Sequence, residues 1–262
     1  MDDMTPRTLP RPAATLAFDD LPGEERAFVL VHGAGLTREM WAPQARALNE
    51  AGHRVINLDL RGHGESTLET TFTADDAIDD LIELLEQLQL DSPVLVGHSL
   101  GGNLAQSAVS EWPDLVGHFV AVDCTWNTGP LSEFEQFGLD ISVPMLRAIP
   151  ARRLPRMMAR ACSTHPAAID ELERMFAQMP KPRFLEVWGA AVSLVAPDPD
   201  YRTPVPLTLI MGAHDKTGNI RRAMPAWAKA EDIEVVRIPD AGHVPSLDNP
   251  DAMTQALLTS AR

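Results

Sequence analysis

Gly97-His98-Ser99-Leu100-Gly101 sets a hydroxyl between two glycines, directly after the apolar run Val94-Leu95-Val96 and directly before a stretch of helical spacing. Glycines allow a tight strand-to-helix turn that lifts the central side chain toward a substrate. A serine hydroxyl is protonated at neutral pH, so Ser99 as a nucleophile needs a base and a third group holding that base in one tautomer. Asp215, in Gly212-Ala213-His214-Asp215, and His243, in Asp240-Ala241-Gly242-His243, are of the right types, each in a loop after a predicted strand. Their order along the chain, serine, acid, histidine, is the one expected where successive loops meet at one sheet edge. Asp123, in Val122-Asp123-Cys124, follows an earlier strand and reads as a strand-end turn or cap interaction.

Acyl transfer to a serine also needs donors aimed at the developing oxyanion. The backbone amide of Leu100, just past the nucleophile, and that of Ala34, in the turn His32-Gly33-Ala34-Gly35, are the candidates. His32 and His63 lie in glycine turns, where hydrogen bonds that shape a pocket are expected before proton transfer. His98 is expected to pack or hydrogen-bond beneath the serine. His214 beside Asp215 imitates a metal pair, but no third ligand follows at useful spacing, so no metal is expected. Cys124 and Cys162 read as small apolar residues, and neither a phosphate-binding loop nor a dinucleotide glycine fingerprint occurs, so no cofactor is expected.

These residues need a scaffold that brings distant loops together. Ala27 to Val31 and His53 to Asp59 read as strands, with a helix from Glu39 to Glu50 between them and Gly52 as its stop. Apolar residues from Ala77 to Leu88 recur at helical spacing, with Asp75, Asp76, Asp79, Asp80, Glu83 and Glu86 on the predicted solvated face. Strands at Val94–Val96, Phe119–Val122, Leu207–Met211 and Ile233–Ile238 alternate with helices at Gly101–Glu111, Ile220–Ala230 and Asn249–Leu258. Such alternation predicts an α/β fold with a mostly parallel central sheet flanked by helices. The Pro-rich opening, Pro6 to Pro12, reads as a tail or edge connection.

Between Trp126 and Pro199 the texture changes to short helical patterns separated by Pro130, Pro144, Pro150, Pro155, Pro166, Pro180 and Pro182. The stretch leaves one sheet strand and returns to another, so it reads as an inserted helical cap: residues 1–125 form the first part of the core, 126–200 the cap and 201–262 the second part. Trp126, Phe134, Phe137, Met145, Met157, Met158 and Trp188, with His32 from the core, are candidates to line an apolar pocket; packing within the cap is the other reading of the large apolar residues.

Composition limits the classes. With 45% hydrophobic and 23% charged residues over 262 positions, the chain is neither disordered nor low-complexity. Its 22 Lys+Arg against 37 Asp+Glu, a formal charge of -15, argue against broad contact with nucleic acid or anionic membrane, although a local basic patch can escape the average. The opening residues lack the charged and apolar regions of a signal peptide, and no stretch reaches the length of a membrane span, so a cytoplasmic location is expected. Nothing in the sequence sets the oligomeric state.

Taken together, the His32-Gly33 turn, the D-x-R-G-x-G-x-S segment at Asp59, Arg61, Gly62, Gly64 and Ser66, the elbow at Ser99, and the loops of Asp215 and His243 resemble the α/β-hydrolase superfamily over about Ala27 to Leu258. The segments Gly212 to Ile220 and Gly242 to Pro250 look like bacterial carboxylesterase-like enzymes. Many of these carry a proline soon after the acid, whereas here the first is Pro225. Some similar enzymes instead draw the acid from the loop after the preceding strand, where Asp123 stands, which makes Asp123 the alternative acid. The resemblance implies a cofactor-independent serine hydrolase for small or medium carboxylic esters or a related carbonyl substrate. Lactone or carbon–carbon bond hydrolysis, peroxyacid formation, and a non-catalytic receptor are the alternatives, since a fold alone does not choose among them.

Overall fold

Strand runs whose every side chain is apolar require cover on both faces, and the sheet is built that way. The computed structural model describes residues 6–260. Its strands are β1 (Arg7–Arg11), β2 (Ala14–Leu21), β3 (Glu25–Val31), β4 (His53–Asp59), β5 (Thr67–Leu68), β6 (Val94–His98), β7 (His118–Val122), β8 (Leu207–Gly212) and β9 (Val235–Ile238). The helices are α1 (Ala42–Glu50), α2 (Ala74–Leu88), α3 (Leu100–Glu111), α4 (Glu133–Ala148), α5 (Leu154–Cys162), α6 (Pro166–Gln178), α7 (Lys181–Ser193), α8 (Ile220–Ala230), α9 (Pro245–Asp248) and α10 (Pro250–Ser260). Spatial order is β1-β2-β4-β3-β6-β7-β8-β9, with the short β5 beside β2. From β4 to β9 all neighbours are parallel; β2 joins β1, β4 and β5 antiparallel.

The period-two alternation of strands divides the core. Val29, Val31, Leu95, Phe119 and Ala121 face a cluster completed by α2, α3 and α8. Phe28, Leu30, Val94, Val96, Val120 and Val122 face a second cluster completed by α1 and α10. The four helices between β7 and β8 close over the sheet with Leu146, Leu172, Phe176 and Phe184 in the second cluster and Val187 in the first. After β3 the chain turns to β4 on one side, and β6 returns on the other. The carboxyl ends of β3 and β6 therefore flank the point where strand order reverses, the place where open α/β sheets leave a crevice.

Three expectations need correction. The Pro-rich opening is a strand: β1 forms a hairpin with β2, and Pro10 sits opposite Thr15 on the sheet edge, where a missing N–H is tolerated. Asp80 is buried and not on a solvated face, because both its carboxylate oxygens receive the buried Arg61 guanidinium at 2.7 Å. A charge so placed is held only because it is paired. The prolines of the insertion start helices more than they end them: Pro155, Pro166 and Pro182 lie in the first turns of α5, α6 and α7, where no N–H is needed, while Pro144 lies inside α4.

Candidate active site

Ser99 links the last residue of β6 to the first of α3 with φ 50° and ψ -117°, a conformation that side chains with a Cβ rarely adopt. Its neighbours must be glycine for steric reasons. A Cβ at Gly97 would lie 2.5 Å from the Gly101 carbonyl oxygen, and one at Gly101 would lie 2.6 Å from the carbonyl oxygens of Val31 and His32. The Ser99 amide donates to Val122 O at 3.0 Å, so the elbow is anchored to β7.

His243 lies in the loop after β9, with its ring Nε2 3.1 Å from Ser99 Oγ and its Nδ1 3.0 Å from Asp215 Oδ2. Nδ1–H donating to the carboxylate leaves Nε2 free to accept the serine proton. Burial by itself would raise the pKa of Asp215; the adjacent His243 and the hydrogen bonds from His243 and Thr217 outweigh it and hold the carboxyl well below the usual range. Thr217 is a member that the sequence reading missed. Its amide and hydroxyl both donate to Asp215 Oδ1, at 2.7 and 2.6 Å, and the hydroxyl oxygen lies 2.8 Å from His243 Nδ1. A threonine directly following the acid's own turn was the available signal.

Asp123, at the end of β7, has φ 41° and is fully buried. Both its oxygens accept from the Gly212 amide, at 2.9 and 3.1 Å, which ties β7 to β8. Burial, then the charge of Asp215, raise its pKa well above that of an ordinary carboxylic acid, which favours the protonated form of Asp123. Asp123, Asp215 and His243 are also the group of three ligand-type side chains that cluster among the described residues. Their atoms are engaged with each other, with Gly212 and with Thr217.

The second glycine turn approaches Ser99 from β3. A Cβ at Gly33 would stand 3.1 Å from Ser99 Cβ and 2.7 Å from His98 Nδ1, so only a bare backbone passes there. Two buried histidines brace this turn. His32 Nε2 accepts from the Leu60 amide at 3.0 Å while its Nδ1 donates to Gly33 O at 2.8 Å. His63 Nε2 accepts from the Gly35 amide at 3.2 Å while its Nδ1 donates to Arg61 O at 3.0 Å. Accepting an N–H requires neutral rings, and burial pushes their pKa values down to about 4 and about 3. The turn carrying Ala34 thus passes beside Ser99, and α3 starts at Leu100 directly after it, the amides of a helix start being favourable to negative charge.

His98 donates from Nε2 to the carbonyl of His243 at 2.7 Å, and the His243 amide donates to Cys162 O at 2.8 Å. The backbone of His243 is therefore held from the sheet and from α5. A further clamp ties the His243 loop to the end of α5: Asp248 accepts from the Gly242 amide at 2.7 Å through one oxygen and from the Ser163 hydroxyl through the other. No local pattern announces a contact between residues so far apart in the chain.

The expected pocket residues separate. His32 is buried behind the turn, Met158 is partly buried against the core, and half-buried Trp188 donates to Ser142 Oγ at 3.1 Å. Trp126 stacks on Trp227 at 6.2 Å and lines a cleft of about 190 Å³ with Pro130, Glu135, Asn219 and Arg222. Phe134, Phe137, Met145 and Met157 stand on the outer surface and face water, so they line no pocket in this structure. Their helices bury the opposite side chains. His214, 62% exposed at its side chain, lies 4.0 Å from the Asp240 carboxylate. Among the described residues no helix is long and apolar enough to cross a membrane.

Known proteins are similar to this chain over part or nearly all of its length. The sn-1-specific diacylglycerol lipase ABHD11 of Xenopus tropicalis is 33% identical over 134 residues, 50% of this chain and 41% of the lipase. The (E)-2-((N-methylformamido)methylene)succinate hydrolase of Acinetobacter baylyi is 32% identical over 135 residues, 48% of this chain and 51% of that enzyme. Both matches span only about half or less of the relatives' length. A thermophilic esterase from Thermogutta terrifontis superposes with a TM-score of 0.79 at 27% identity, covering 97% of each chain. Residues 28–256 match the model of the alpha/beta hydrolase family. With the sheet order, the elbow and that match over most of its length, the chain belongs to the alpha/beta hydrolase family.

Proposed function

We propose that this protein is a serine hydrolase that cleaves small or medium carboxylic esters through an acyl-enzyme, with Ser99 as nucleophile, His243 as base and Asp215 as the orienting acid. The observation that carries the reading is the continuous relay from Asp215 Oδ2 through His243 to Ser99 Oγ, with separations of 3.0 and 3.1 Å. Ser99 Oγ attacks the ester carbonyl as His243 Nε2 takes its proton, and the amides of Leu100 and Ala34 receive the oxyanion. His243 then protonates the departing alcohol. Water enters, gives a proton to His243, attacks the acyl carbonyl and releases the carboxylic acid, returning the proton to Ser99. The likeness to the Thermogutta esterase over nearly the full length supports an ester as the substrate class.

The test is intact-protein mass spectrometry during turnover of p-nitrophenyl acetate and butyrate. The wild type should carry an acetyl or butyryl adduct that maps to Ser99, and Ser99→Ala should carry none and lose turnover. An adduct on another residue, or unchanged single-turnover kinetics in Ser99→Ala, would refute the assignment.

A further inference from the structure

The helix α4 presents two apolar faces, and the fold uses one. Leu146 is buried against the protein, with Leu139 and Val143 half-buried on the same side. The outer side carries Phe134, Phe137, Ile141, Pro144 and Ala148 at alternating three- and four-residue spacing, the pattern of a coiled-coil seam. Phe134 is 82% exposed, Phe137 58% and the adjoining Met145 61%. A single exposed apolar residue is ordinary; a contiguous row along about 24 Å of helix signals a partner.

Charge decides which partner. Glu133, Asp140 and Arg147 run along one flank of the seam at heptad spacing, acidic at the helix start and basic at its end. Neither Glu133 nor Arg147 has an ion-pair partner among the described residues, and both are exposed. In an antiparallel pairing of two such helices, flank positions of the same kind meet across the twofold axis. Glu133 then faces the partner's Arg147, and the symmetric pair repeats the contact. The seam closes in apolar layers, Phe134 against the partner's Pro144 and Phe137 against the partner's Ile141. On the other flank Gly138 meets the partner's Gly138; it has no heavy atom near the position of a Cβ, so the backbones can approach. A parallel pairing would set Glu133 against a glycine and leave the charges unmatched. An anionic lipid surface fits poorly, with a net charge of -15 and two acids on the flank of the row.

We propose that α4 is a self-complementary surface through which two copies of this chain associate, antiparallel, with Glu133 and Arg147 exchanged across the axis. Asp140 meets the partner's Asp140 near that axis, so the contact has one built-in repulsion and its removal should tighten the dimer.

The experiment is sedimentation velocity of the full chain from about 1 to 100 µM, a range that spans the affinity of a small helical interface. The wild type should shift from monomer to dimer. Phe137→Asp, on an exposed side chain whose change leaves the core untouched, should raise the dissociation constant about 100-fold or more. Glu133→Arg and Arg147→Glu should each weaken the dimer about 2- to 10-fold, and the double exchange should restore it. Asp140→Asn should tighten it. Circular dichroism checks that each variant is folded. A wild type that stays monomeric throughout, a dimer indifferent to Phe137→Asp, or a double exchange weaker than either single change would overturn the proposal. Binding to phosphatidylglycerol vesicles without self-association would assign the row to a lipid surface and equally overturn it.

Discussion

At the carboxyl edge of the sheet, the side chains of Asp215 and His243 beside Ser99 are each fixed from two or more directions, whereas α4 touches the rest of the protein along one side only. His243 shows the first condition: its ring is engaged by Asp215, Thr217 and Ser99, its carbonyl by His98 and its amide by Cys162. Phe134 and Phe137 show the second, standing in water on a helix whose other side is packed. The difference separates residues whose identity is dictated by close neighbours from residues left free to meet something else. It also shows that the inserted helices are not a detachable lid. The end of α5 holds the backbone of His243, so excising residues 126–200 would disturb the base as well as any selectivity for chain length.

The contrast can be broken most severely at Gly101. Alanine there would place a methyl group 2.6 Å from the carbonyl oxygens of Val31 and His32, all of it backbone that has nowhere to move. Since the displaced segment carries the Ala34 amide, Gly101→Ala should lower kcat about 100-fold or more and reduce Tm by several degrees. Alanine at Gly138 on α4, where nothing lies within 4 Å, should leave Tm and turnover near the wild type. Equal tolerance at both sites would remove the distinction.

Smaller effects should follow from the positioning groups. Thr217→Val keeps the shape but removes the hydroxyl that spans Asp215 and His243, and should lower kcat about 10-fold with little change in KM. Unchanged kcat would make Thr217 a bystander. Ser163→Ala breaks one arm of the Asp248 clamp and should cost turnover about 3-fold, with Asp248→Ala worse because it also leaves the Gly242 amide unpaired. The reverse order would show that α5 does not steady the base.

Asp123 offers a test through stability. Its folded pKa is raised, so the stabilisation belongs to the neutral acid: it is complete below the ordinary carboxylate range, near pH 4, and is lost as pH rises toward the raised value. Asparagine keeps a neutral group of the same size. Urea midpoints measured across that interval should therefore favour Asp123→Asn over the wild type progressively as pH increases, and a constant difference would mean that Asp123 is not neutral in the fold.

The central strands were legible because they are buried on both faces and so continuously apolar, and the elbow because its glycines are forced by backbone contacts. β1 and β2 were not, since an edge hairpin with prolines and aspartates carries no such run. Asp80 looked solvated because its partner Arg61 comes from a different element, and helical spacing cannot see across the sheet. Large apolar residues of the insertion suggested a pocket lining; exposure of Phe134 and Phe137 depends on which way α4 faces, which periodicity leaves undecided when both sides are apolar. The Ser163–Asp248 clamp likewise needed three dimensions.

The relay through Asp215 is tested most directly by measuring the acylation rate constant of Asp215→Asn and Asp123→Asn side by side with p-nitrophenyl butyrate in a stopped-flow instrument. Asp215→Asn replaces the acceptor of the His243 Nδ1 proton with a group that can favour the wrong tautomer, so acylation should fall on the order of 10²- to 10⁴-fold. Asp123→Asn retains a neutral group at Gly212 and should fall far less. A near-normal Asp215→Asn together with a severe defect in Asp123→Asn would contradict the account and move the acid to the end of β7.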